Sequence, residues 1–278
     1  MKRLMASLAV CVVGGLWAGD FVRMSYNDSA STDLGVGLWA WPLVLDYDGD
    51  GDLDLVVSSP CVPSRGDWFF ENPGKNSKDP FPVFNAGKKI GPGSGNIAVS
   101  YVQGGKPVVL TPGSANWNPF DRGTAATAFK GLKANIHSAN VRGNVWRLVD
   151  WDGDGRDDLL VGVEDYTSYG WDNAYDAQGN WVKGPLNGFV YVCRNLKGEG
   201  PNAEYAPAVR VTLKDGSPLH TFGNPMPMAA DWDGDGDLDL IVGDFLDNFT
   251  YYENIGTRTN PVYTSGRLLR DSTGGRLH

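Results

Sequence analysis

Apolar residues in this chain come in short runs, and the runs come in pairs that flank loops of Asp and Gly. Leu43-Val44-Leu45 enters one such loop and Leu53–Val57 leaves it. Leu148-Val149 and Leu159–Val163 flank a second loop, Ala229-Ala230 and Leu238–Val242 a third. Short β-branched runs bounded by Gly and Asp predict buried strands, so the unit is strand, acidic loop, strand. A third strand, alternating in polarity, is predicted after each unit at 67–72, 188–195 and 248–254, ending on Asn72, Asn195 or Asn254 with a Gly close by for the turn. A fourth, more exposed strand is predicted at Val83–Asn85, Val209–Leu213 and Val262–Leu269. A copy without an acidic loop fills the gap after the first unit: Ile97–Tyr101, the tight turn Gln103-Gly104-Gly105, then Lys106–Leu110.

Four antiparallel strands per repeat is the anatomy of a propeller blade. The predicted fold is therefore all-β, a β-propeller of four-stranded antiparallel blades with about four blades present. Four is the lower limit for such rings. The pattern thus points to part of a larger propeller, with further blades from a longer chain, or to closure by self-association.

The first 19 residues stand apart. Met1-Lys2-Arg3 is basic, Leu4–Ala18 carries no charge, and Ala18-Gly19 precedes Asp20. This predicts a signal peptide over 1–19, with the repeats occupying 20–278, and a secreted, periplasmic or cell-surface protein. The uncharged run is shorter than the roughly 20 residues a membrane span needs, and no transmembrane segment is predicted once the leader is removed. Beyond the leader the cysteines are Cys61 and Cys193, in different repeats, and two free thiols are expected.

Charge sharpens the picture. The chain has 33 acidic and 24 basic residues, and 15 of the acids lie in the windows 46–54, 150–158 and 231–239. With no basic cluster, nucleic acid is not an expected partner. Each window follows D-x-D-G-D-G-x-x-D. Positions 1, 3, 5 and 9 are Asp46, Asp48, Asp50 and Asp54; Asp150, Asp152, Asp154 and Asp158; Asp231, Asp233, Asp235 and Asp239. Such crowded carboxylates repel one another unless a cation sits among them, and an all-oxygen set without His or Cys suits Ca²⁺. About three ions are expected. Gly at position 6 allows a sharp turn that brings the backbone carbonyl of position 7 (Asp52, Arg156, Asp237) inward. An EF-hand is excluded, because position 12 is Val57, Val161 or Val242 within a strand-like run rather than a bidentate Glu.

On these loops and their strand repeat, the chain resembles the FG-GAP/VCBS repeat proteins, whose blades are similar to those of the integrin α-subunit propeller. The resemblance covers about residues 37–278. It implies calcium on the twelve Asp and the position-7 carbonyls, in a structural role. It departs from the family at Ser59-Pro60, where a Gly-Ala-Pro element is usual, and it specifies no activity.

Two loop regions, 164–187 and 114–137, offer candidate ligand chemistry. Residues 164–187 carry Tyr166, Tyr169, Trp171, Tyr175 and Trp181 among Asp and Asn, a composition suited to stacking on sugar rings. The expected function is binding of an extracellular glycan or protein ligand. An alternative is a polysaccharide lyase acting on uronate polymers, with His137, Arg122, Tyr175 and Arg194 as candidate catalytic groups. A further alternative is an adhesive module of a larger surface protein. No G-x-S-x-G, H-E-x-x-H or phosphate-cradling loop supports other enzyme classes. Tyr47, Trp151 and Trp232, each following the first Asp of its loop, are expected to pack one blade on the next.

Overall fold

A computed structural model of the protein describes residues 35–74, 82–119, 125–137, 140–170, 174–271 and 274–275. The leader reading at 1–19 lies outside these residues. No helix among them is long and apolar enough to cross a membrane.

The described residues form three four-stranded antiparallel sheets, one five-stranded antiparallel sheet and a two-stranded ribbon. The first sheet contains β1 (Trp41–Leu45), β2 (Asp54–Ser59), β3 (Gly66–Phe70) and β4 (Lys88–Gly91). The second contains β5 (Ala98–Val102), β6 (Lys106–Thr111), β7 (Ser114–Asn116) and β8 (Thr127–Ala128). The third is built on β9 (Val141–Val149), β10 (Asp158–Asp165) and β11 (Asn187–Cys193). A small ribbon, β12 (Asn195–Lys197) with β13 (Glu204–Tyr205), follows it. Both β14 (Val209–Arg210) and β15 (His220–Phe222) then pair with the outer edge of β11. The fourth sheet contains β16 (Met226–Ala230), β17 (Asp239–Gly243), β18 (Phe249–Tyr252) and β19 (Arg267–Leu268).

The acidic loops join the first and second strands of sheets one, three and four. In sheet two a Gly104-Gly105 turn takes that place, both glycines at positive φ (87° and 76°). The predicted fourth strand at Val83–Asn85 is corrected to Lys88–Gly91. Phe84 keeps only an isolated bridge, and its side chain, 2% exposed, fills a cluster with Leu55, Val57 and Phe70. Neither β15 nor the β12–β13 ribbon was foreseen.

The first strands adjoin in order: β1 beside β5, β5 beside β9, β9 beside β16. One cluster draws on all four, holding Trp41, Ala98 and Val145 with Met226 packed on it. In the three sheets with acidic loops, the contributing residue lies five positions before the first Asp of its loop. Faces between successive sheets are filled by separate apolar clusters. Leu43, Leu45, Val56 and Phe69 meet Ile97 and Val99 of sheet two. Val108 and Leu110 meet Trp146, Leu159 and Val161 of sheet three. Trp151, Leu160 and Val192 meet Leu240, Val242 and Tyr263 of sheet four.

Strand burial follows from this stacking. Every residue of β10 is buried, because a sheet lies on either side of it. Strand β1 alternates, with Pro42 and Val44 exposed, because among the described residues only one of its faces is covered.

Candidate functional site

In each acidic loop the carboxylates at positions 1, 3 and 5 converge. Asp46, Asp48 and Asp50, then Asp150, Asp152 and Asp154, then Asp231, Asp233 and Asp235 each offer oxygens within 4.8 Å of one another. Glycines at positions 4 and 6 make this possible. Gly49, Gly51, Gly153, Gly155, Gly234 and Gly236 all sit at φ between 75° and 99°, a region costly for other residues. In the first loop Asp46 accepts backbone N–H from Gly49 (2.8 Å) and Gly51 (3.2 Å), and Asp50 accepts from Asp52 (2.9 Å). The third loop repeats the pattern, with Asp231 accepting from Gly234 (2.8 Å) and Gly236 (3.2 Å).

Position 9 does a different job. Asp54, Asp158 and Asp239 are 1–2% exposed, and each ties its loop to the third strand. One oxygen accepts the N–H of Tyr47 (2.9 Å), Trp151 (3.2 Å) or Trp232 (3.1 Å). The other accepts from Asn72 (2.8 Å), Asn195 (2.6 Å) or Asn254 (2.8 Å). The Asn that recurs at the end of each third strand is therefore a partner of the loop, a role its spacing alone did not show.

Several loop atoms suit a cation. Asp237 is 7% exposed, and its Oδ1 has no hydrogen-bond partner; Asp150 Oδ1 is likewise buried and unpartnered. Burial, then the charges of Asp235, Asp239, Asp233 and Asp231, raise the Asp237 carboxyl above its usual range. Burial also pushes Asp157 and Asp158 up to about 6, and for Asp158 this holds despite its two backbone donors. Crowded, desolvated carboxylates of this kind fit a hard divalent ion. Residues at positions 1, 3 and 5 would hold it, and its charge would offset the repulsion among them.

The end of the sheets opposite these loops carries aromatic side chains. Tyr166 follows β10, Trp39 precedes β1, and Phe245 follows β17. All three rings surround the Arg142 guanidinium, with centroids 4.6, 4.8 and 5.3 Å from its Cζ respectively. Arg142 is held from behind by fully buried Glu164, donating through Nε (2.8 Å) and Nη2 (2.9 Å). The row continues from Tyr166 to Tyr169 (5.4 Å), Trp181 (4.6 Å) and Tyr175 (5.3 Å). Tyr175, Trp39, Phe245 and Trp181 are exposed. Four of the five expected ligand residues thus come together, whereas Trp171 lies outside the described residues. Trp39, Arg142 and Phe245 were missed, because they belong to three different sheets.

The four candidate catalytic groups are not assembled. Arg122 lies outside the described residues, Tyr175 belongs to the aromatic row, and Arg194 pairs with Asp152 of the middle acidic loop. His137 finds other partners. Its Nε2 is 2.8 Å from Asp165 Oδ2, and its Nδ1 meets the Tyr191 hydroxyl. That hydroxyl also accepts from Arg210 Nε (3.2 Å) and Nη2 (3.0 Å), and Arg210 lies over the Phe189 ring. Burial raises the Asp165 carboxyl, but hydrogen bonds from Thr167 and His137 outweigh it and hold the group below its usual range.

Tyr47 packs on Phe69 (4.8 Å) and Trp151 on Tyr263 (5.9 Å), each in a cluster spanning two sheets. Trp232 does not follow them. It is 44% exposed, because among the described residues no further sheet lies on that face of the fourth. Cys61 and Cys193 are both free. The chain matches no family model, no curated protein and no solved structure.

Proposed function

We propose that this protein is an exported, calcium-stabilised repeat protein of propeller type that binds glycan at the end opposite its calcium loops. Three convergent carboxylate triads in phase with the sheet repeat support the calcium. The common cluster of Trp41, Ala98, Val145 and Met226 supports first strands gathered about one axis. The observation that carries the binding role is the aromatic row Tyr166–Tyr169–Trp181–Tyr175, extended through Arg142 to Trp39. Exposed rings beside polar groups present C–H-stacking surfaces to sugars. Calcium is structural in this arrangement, because the loops lie at the other end of the strands.

A glycan array followed by calorimetry tests the assignment. Trp181→Ala and Tyr175→Ala are expected to weaken binding about tenfold each, equivalent to about 1.4 kcal/mol. Retained affinity in both variants would move the ligand elsewhere.

The Asp165–His137–Tyr191–Arg210 chain favours a second reading, acid–base chemistry on an anionic sugar. In it the phenol–imidazole pair would exchange the proton and Arg210 would face the carboxylate. Uronate polymers incubated with the protein should then gain the ultraviolet absorbance of an unsaturated product, and His137→Asn should abolish the gain. Failure to see that absorbance with any uronate polymer removes this reading.

A further inference from the structure

Resting on the calcium reading above, we propose that the three acidic loops are unequal: Arg194 and Arg156 serve as built-in counter-ions of the middle loop, so that loops 46–54 and 231–239 bind calcium tightly and loop 150–158 binds it weakly. Two positions set the difference. Position 7 is Asp52 in the first loop and Asp237 in the third, but Arg156 in the middle one. The residue before the conserved-in-register Asn of the third strand is Glu71 in the first repeat and Glu253 in the last, but Arg194 in the middle one. In the middle repeat both positions face the loop. Arg194 Nη1 meets Asp152 Oδ2. Arg156 Nη2 likewise meets Asp154 Oδ2.

A third guanidinium reaches the same loop from the following sheet. Arg258 Nη2 donates to the Asp150 backbone carbonyl at 2.5 Å and lies 4.0 Å from its carboxylate. Among the described residues, no Lys or Arg comes within ion-pair distance of an Asp in the first or third loop. A cation entering the middle loop must therefore displace charge-assisted hydrogen bonds from two of its three convergent carboxylates, whereas in the outer loops, among the described residues, no cationic side chain stands in its way.

Calcium titration of the purified chain by calorimetry, with terbium luminescence as a second probe, tests this. Two tight sites and a third at least about tenfold weaker are expected, a gap of about 1.4 kcal/mol. Asp48→Asn and Asp233→Asn should each remove a tight site, and Asp152→Asn the weak one. Arg194→Glu should tighten the third site about tenfold. Arg194→Gln, which keeps the length without the charge, should tighten it less and serves if the first variant does not fold. Three equal sites, or a third site unmoved in both Arg194 variants, would overturn the inequality while leaving calcium binding intact. Calcium bound by no loop would overturn the calcium reading itself.

Discussion

Glu164 is fully buried with both oxygens on the Arg142 guanidinium, and the guanidinium in turn supports the rings of Trp39, Tyr166 and Phe245. Removing one partner of a buried pair leaves the other charge without compensation, at a cost of about 3–5 kcal/mol. Arg142→Ala is expected to lower unfolding free energy by that amount in urea titration. Arg142→Ala together with Glu164→Gln should recover part of the loss, because the buried charge has gone. His220 gives a pH-dependent counterpart. Burial, then the nearby Arg210, depress its imidazole below the ordinary 6.5, and its Nε2 is 2.8 Å from Asn187 Oδ1. A depressed value means that the unfolded chain takes the proton first. The contribution of His220 is thus fully present above about 6.5 and is lost as pH falls through its lower folded value. Ring resonances followed by NMR should titrate below the ordinary histidine midpoint, and His220→Gln should remove that part of the acid loss of stability. A midpoint at or above 6.5 would contradict the assignment.

Sheets one, three and four share a design, yet equivalent residues work under different loads. Trp151 is 4% exposed between sheets three and four, whereas Trp232, in the same register, is 44% exposed on an uncovered face. Trp151→Ala is expected to cost about 3–5 kcal/mol, and Trp232→Ala no more than about 0.5 kcal/mol, by chemical denaturation. The bond from Trp232 N–H to Asp239 survives truncation, so the comparison isolates side-chain packing. Equal costs would mean that something covers the fourth sheet. The common spacing of Tyr47, Trp151 and Trp232 was visible in the sequence, but their environments were not. Spacing encodes where a side chain sits on its own sheet, while burial depends on whether another sheet follows. The fourth strand of sheet one was misplaced for a related reason. The short run at 83–85 has strand-like polarity and keeps an isolated bridge, with Asn85 N–H donating to the Glu71 carbonyl (2.8 Å), but the pairing does not extend, and the Phe84 side chain fills the gap beside Leu55, Val57 and Phe70.

At the scale of the whole molecule, what repeats was legible and what is brought together once was not. The D-x-D-G-D-G loops announce themselves because the geometry is local: glycines at positive φ and carboxylates two residues apart. The cluster around His137 draws on Asp165 and Tyr191, 28 and 54 residues along the chain, and the partner of Arg194 is 42 residues away. No periodicity records such meetings. The loops also decide how the molecule holds together, since each links the inner strand pair of its sheet to the third strand through the buried Asp54, Asp158 or Asp239. Calcium bound only by the folded loops stabilises by about 2.7 kcal/mol per site at a hundredfold excess over Kd. The two tight sites proposed above would then contribute about 5 kcal/mol, which for a chain of this size corresponds to about 10–20 °C in Tm. Chelation should lower Tm by that margin, and restored calcium should return it. Sheets one and four should lose amide-exchange protection first, while sheet three, whose loop keeps Arg156, Arg194 and Arg258, should hold longer than either. A melting curve unmoved by chelator would show that the loops need no ion. Uniform loss of protection across all four sheets would show that the arginines do not substitute for one.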